Sequence, residues 1–141
     1  MRHFLALSAA CVILAGARTA HAQDYKLVVN EANPTASLAA ADVAQLFLKK
    51  KTVWPSGTPA VPVDQSSGRA RAAFSQEVLG RDIASMRLYW QQQVFSGRST
   101  APDEKPSDAT VVAFVRDNAG AVGYVSGSAQ TAGVKVLTVT R

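Results

Sequence analysis

The only cysteine, Cys11, and both histidines, His3 and His21, fall within the first 21 of the 141 residues. That same stretch has the form of a removable leader. Arg2 and His3 give a short polar start, "FLALSAACVILAGA" (Phe4 to Ala17) is an apolar run, and Ala20, His21 and Ala22 make a small-x-small cleavage site. The run is shorter than the roughly 20 residues that span a bilayer, and "VILAGA" after Cys11 speaks against lipidation there. The reading predicts a signal peptide over residues 1–22, cut after Ala22, and an exported domain over residues 23–141, with no membrane span after cleavage.

Cleavage strips the chain of chemistry. Without Cys11, His3 and His21 there is no thiol nucleophile, disulfide or imidazole base. Serine and cysteine triads, the usual zinc sites and dithiol redox motifs are thereby excluded. Carboxylate-only acid–base or metal chemistry is left, but no paired acids stand out, so the expectation is no enzyme, no cofactor and no metal. The remaining 119 residues are a normal size for one domain. With Arg2 and Arg18 gone, 13 basic residues face 10 acids, a net charge of +3. No basic block interleaved with aromatics appears, which argues against nucleic acid.

Along this domain the hydrophobic periods alternate. "YKLVVN" (Tyr25 to Asn30) reads as a strand, "LAAADVAQLFLKK" (Leu38 to Lys50) as a helix with Val43, Leu46 and Phe47 inward, and "AVPVDQ" as a short strand. "GRARAAFSQEVLG" and "DIASMRLYWQQQVFSG" read as helices, the first stopped by Gly80 and the second capped by Asp82, with Trp90 in its core stripe. "RSTAPDEKP" reads as a polar loop with Asp103, Glu104 and, just beyond, Asp108 solvated. Ser107 or Asp108 caps "ATVVAFVRDNAG", and "AVGYVSG" and "VKVLTV" close the chain as strands. The pattern predicts one α/β domain with about four strands and four helices.

One stretch invites a binding reading. In "VDQSSGRARAAF" (Val63 to Phe74), Ser66, Ser67 and Gly68 precede a helix that carries Arg69 and Arg71 in its first turn. The first N–H groups of a helix lack internal partners and the dipole is positive there, so hydroxyls and guanidinium groups added at that point make a cradle for an anion. Asp64, Ser66 and Ser67 are also good N-cap residues, and the alternative for Arg71 is solvent or a pair with Glu77 or Asp64. Asn33, Thr35 and Ser37, ahead of the first helix, are candidates for a second donor set.

Several phrases together resemble the phosphate-binding proteins of ABC importers. "LFLKK" (Leu46 to Lys50), "VWPSG" (Val53 to Gly57) and "SSG" (Ser66 to Gly68) look like that family's helix end, tryptophan turn and ligand loop, and "NAGAVGYV" (Asn118 to Val125) looks like a late strand of its second lobe. The resemblance runs from about Leu27 to the end. It implies a single lobe of a type II periplasmic-binding-protein-like fold, a small mixed sheet flanked by about four helices. The family's ligand loop has the form Arg-x-Asp-Gly-Ser-Gly-Thr. Setting its Ser-Gly on Ser67 and Gly68 puts Arg69 at its threonine, Gln65 at its aspartate and Val63 at its arginine.

The expected function is therefore that of a periplasmic solute-binding protein for phosphate or another small oxyanion, in connection with ABC-type uptake. A full member holds its ligand between two lobes. One lobe implies an open, weak site or completion by an ABC permease or a second chain. The alternative is an accessory or sensory domain of the envelope that binds a protein partner.

Overall fold

The computed structural model describes residues 24–141. The leader and its cleavage after Ala22 lie outside the described residues. Strand β1 (Tyr25–Asn30) is buried almost throughout and forms the middle of a six-stranded sheet, and β5 (Ala121–Ser126), beside it, is buried in the same way. Both read as near-continuous apolar runs because both faces of the sheet are covered. Around them stand β2 (Ser37–Ala39), β3 (Val61–Gln65), β4 (Asp103–Lys105) and β6 (Val134–Thr140), in the order β2-β6-β1-β5-β3-β4. β1 runs antiparallel to β5 and β6, whereas β2 is parallel to β6, and β3 is parallel to both β5 and β4. Five strands thus point one way and β1 the other.

The alternation of side chains splits the core in two. Tyr25, Leu27, Val29, Val122 and Tyr124 face one layer, where they meet Val43, Leu46 and Phe47 of α1 (Ala40–Phe47) and Phe74 of α2 (Arg69–Phe74). The rings of Phe74 and Tyr124 stack with centroids 4.2 Å apart. Val28, Ala121 and Val125 face the other layer and pack on Val111, Val112 and Val115 of α4 (Asp108–Asp117). Gly123 lies on this face, and a Cβ there would sit 2.6 Å from Val111 and 2.9 Å from Val63. Glycine is what lets α4 come this close. α3 (Ile83–Phe95) stands outside both layers, with only Met86 and Trp90 buried.

Two departures from the sequence reading concern edges. The first helix begins at Ala40 rather than Leu38, because Ser37–Ala39 pair with Thr138–Thr140 as β2. It ends at Phe47 rather than Lys50, because Lys49 takes a left-handed conformation (φ 54°). In the stretch read as a solvated loop, Asp103–Lys105 instead form β4 against Val63–Gln65. The sheet has six strands where about four were expected. Local starts and stops fall as read: Asp82 caps α3 by accepting from the Ser85 N–H, Ser107 and Thr110 form a capping box on α4, and Gly80 closes the second helical segment in αL. That segment is longer than α2 alone, since a π-helical turn, Ser75–Leu79, continues it. Among the described residues no helix is long and apolar enough to cross a membrane.

Candidate functional site

The strand registers bring three helix starts to one end of the sheet. β2 leads into α1, β3 into α2 through Ser66–Gly68, and β4 into α4 through Pro106 and Ser107. Because β2, β3 and β4 point the same way, all three helices begin at their carboxyl ends. In α/β sheets this is the edge where ligands are bound.

At α2 the N-cap is Gly68, with φ 106° and ψ 170°, a conformation that a residue with a Cβ rarely adopts. Ser66 and Ser67 lie ahead of the cap, so neither caps the helix, as sequence had allowed. The first helical bond is from the Ala72 N–H to the Gly68 carbonyl, 3.2 Å. The N–H groups of Arg69, Ala70 and Arg71 therefore have no partner inside the helix. Ser67, Gly68 and Arg69 are exposed and Ser66 is half-buried.

Beneath the loop lies a polar network that ties α2 to β3, β4 and β5. The Arg71 side chain is only 6% exposed. Its Nη1 donates to the Gln65 carbonyl and to Glu104 Oε1, the latter at 2.8 Å, and its Nη2 lies 3.9 Å from Asp64 Oδ2. Asp64 Oδ1 accepts the Tyr124 hydroxyl and the Gln65 N–H. Gln65 Nε2 donates to the Tyr124 carbonyl and to Asp108 Oδ1, both at 2.9 Å, and Asp108 Oδ1 also accepts the Ser126 N–H at 3.0 Å. Burial pushes the Asp64 carboxyl above its usual range, although Tyr124 and Arg71 oppose the shift. The Tyr124 phenol is pushed up by burial and by the Asp64 charge. At Asp108 partial burial works against ionisation, but the hydrogen bonds from Gln65 and Ser126 together with Lys26 outweigh it, and its pKa lies below the usual value.

The candidates picked from sequence thus take different places. Ser66, Ser67, Gly68 and Arg69 sit together at the mouth. Arg71 lies under them with its charge already met by Asp64 and Glu104. Asn33, Thr35 and Ser37 do not join them, because β2 intervenes before α1, whose N-cap is Ala39. Asn33 lies beside the start of β6, where Lys135 Nζ donates to its carbonyl, about 15–20 Å along the strands from the helix starts. It is buried, its Oδ1 accepts the Thr35 N–H, and its Nδ2 has no partner among the described residues. Ser37 is exposed on the edge strand β2. The sequence reading passed over Tyr124, and it took Glu104 and Asp108 as solvated. Trp54 is buried and donates Nε1–H to the Gly120 carbonyl at 2.9 Å.

A sheet of this order, covered on both sides and presenting its helix starts at one edge, is the fold of one lobe of a type II periplasmic binding protein. Several solved structures that it matches carry the names of phosphate-transport proteins. A phosphate ABC transporter substrate-binding protein from Clostridium perfringens, crystallised with bound phosphate, aligns with 82% of this chain and 44% of its own, at 22% identity and a TM-score of 0.61. An ABC-type phosphate transport receptor from Vibrio cholerae gives 82% and 46%, at 20% identity and a TM-score of 0.57. PstS from Borrelia burgdorferi gives 83% and 47%, at 10% identity and a TM-score of 0.55. The chain spans less than half the length of each. No family model matches the sequence, and no curated protein matches it significantly.

Proposed function

We propose that the chain is an exported solute-binding lobe, periplasmic after removal of residues 1–22, that holds a small oxyanion, phosphate foremost, for ABC-type uptake. Ser66, Ser67, Gly68 and Arg69 are the proposed contacts, with the free N–H groups of Arg69 to Arg71 pointing the same way. Arg71 holds the loop from below. The carrying observation is Gly68. Its φ of 106° starts α2 with a residue that has no side chain, so the first-turn N–H groups and two serines remain for a ligand. The reading assigns no catalysis: the mouth has donors and one free guanidinium, but no nucleophile beside a base.

Calorimetric titration of the purified chain with phosphate, then sulfate, at low salt tests this. Binding is expected, and the double variant Ser67→Ala, Arg69→Ala should abolish it while the far-UV spectrum stays unchanged. No heat with either anion from a folded protein would overturn the reading. It would favour the second one, an envelope accessory or sensory domain with a protein partner.

A further inference from the structure

The loop between β3 and α2 stands on carboxylates. Asp64, Glu104 and Asp108 belong to one network with a single guanidinium, that of Arg71, so three negative charges meet one positive when all are ionised. Asp64 is the enclosed member of the pair that Arg71 faces: its side chain is 20% exposed, against 46% for Glu104. Its two oxygens are used unequally. Oδ1 accepts the Tyr124 hydroxyl and the Gln65 N–H, whereas Oδ2 has no hydrogen bond among the described residues and lies 3.9 Å from Arg71 Nη2. A proton on Oδ2 therefore breaks no hydrogen bond of the network.

We propose that an anion held by the loop is taken up together with a proton on Asp64 Oδ2, so that binding tightens as pH falls. The inference rests on the oxyanion reading above. An anion at Ser66 to Arg69 lies roughly 8–10 Å from the Asp64 carboxyl, since two residues of extended chain separate Asp64 from Ser66. It adds negative charge to a network already in excess of it, and a nearby like charge favours the neutral form of a carboxyl. The other groups around Asp64 do not take this part. On α2, Arg71 stays charged and Arg69 is a contact of the anion itself. On β4, Glu104 is screened by water and Lys105 turns to the Phe114 ring. On β5, burial and the Asp64 charge keep the Tyr124 phenol protonated. On α4, Asp108 is ionised in spite of partial burial, through Gln65, Ser126 and Lys26 of β1. On α1, Asp42 pairs with Lys51 instead. Burial has already lifted the Asp64 carboxyl above its ordinary value, which makes it the acid of the network closest to taking a proton. For one unit of ligand charge at this separation the further rise is about one pH unit, or about tenfold in affinity between the protonated and ionised limits.

Titration calorimetry of the purified chain with sulfate, an anion with no proton of its own to exchange from mildly acidic to alkaline pH, tests this. Repeating each titration in two buffers of different ionisation enthalpy counts the protons. Uptake is expected to peak at about half a proton per anion or more, with sulfate held about tenfold more weakly at the alkaline limit. Asp64→Asn keeps an acceptor for Tyr124 and Gln65, and should bind at the tight limit at every pH with no uptake. Asp108→Asn should keep the uptake. In the unaltered chain the NMR shift of the Asp64 carboxyl carbon should titrate at higher pH with sulfate than without it, a readout that needs no variant to fold. With phosphate, whose own proton also moves, the difference between the parent and Asp64→Asn reads the same quantity. Sulfate binding without proton uptake, or uptake that survives Asp64→Asn, would overturn this inference and leave the oxyanion reading standing. No binding of either anion at any pH would overturn both.

Discussion

Replacing Arg71 by Met keeps a long, unbranched side chain in place and removes the guanidinium from its buried position. The consequences follow contact by contact. The Gln65 carbonyl loses a buried donor, and leaving such an acceptor unsatisfied costs about 1–3 kcal/mol. Glu104 loses its partner, but its side chain is 46% exposed, so the pair contributes about 1 kcal/mol or less. Asp64, only 20% exposed, loses its nearest cation, and its carboxyl, already raised by burial, moves further up. Together these amount to about 3 kcal/mol at pH 7, within the range for breaking a buried ion pair. That is a large part of the total stability expected for a domain of this size. Urea unfolding followed by tryptophan fluorescence measures it, provided that the slope is unchanged. The cycle with Asp64→Asn isolates the pair: Arg71→Met should cost less in that background, by about 1 kcal/mol. A cost below about 1 kcal/mol at pH 7, or no coupling to Asp64, would refute the view that Arg71 is held as the internal tie under the loop.

Gly123→Val should destabilise by more than the usual overpacking cost of about 1–3 kcal/mol, because its Cβ alone already falls 2.6 Å from Val111, and thermal unfolding would show it. Two carboxyls of the network, Asp64 and Asp108, should respond oppositely to pH. Asp64, raised above its ordinary value of 3.8, favours the folded state while protonated, and that contribution is lost as pH rises through its folded value. Asp64→Asn should therefore gain on the parent as pH rises above the ordinary carboxyl value of 3.8. Asp108, lowered from 3.8, contributes above that value and loses its contribution as pH falls through its folded value, so Asp108→Asn should flatten the acid limb of the urea midpoint.

What could be read from sequence was whatever local chemistry decides. β1 and β5 announce themselves by β-branched residues buried on both faces, and the helix boundaries at Gly80, Asp82 and Ser107 follow from backbone and capping chemistry. β2 and β4 were out of reach. "SLA" opens an alanine-rich stretch that favours helix, and "DEK" is charged, yet each becomes a strand because a partner distant in sequence offers its edge. The site divides along the same line. Ser66 to Arg69 could be placed at a helix start from their residue types. That Arg71 points inward rather than to the mouth depends on helix phase within one turn, and Tyr124 contributes through a hydroxyl whose partner, Asp64, lies 60 residues away. The misplaced donors follow from the hidden strand: Ser37 itself belongs to β2, which separates Asn33 and Thr35 from the start of α1.

The position of β1 also governs the order in which the molecule can be completed. It is the first described strand, and its two neighbours are the last ones: Leu27 stands between Tyr124 and Leu137, about a hundred residues later. The middle of the sheet therefore cannot close while the C-terminal segment is still being made. Until then β1 is an apolar ribbon without its two neighbours. Loss of β6 would remove a neighbour of the central strand and leave β2 without one, so trimming at the C-terminus should undo the fold from its centre.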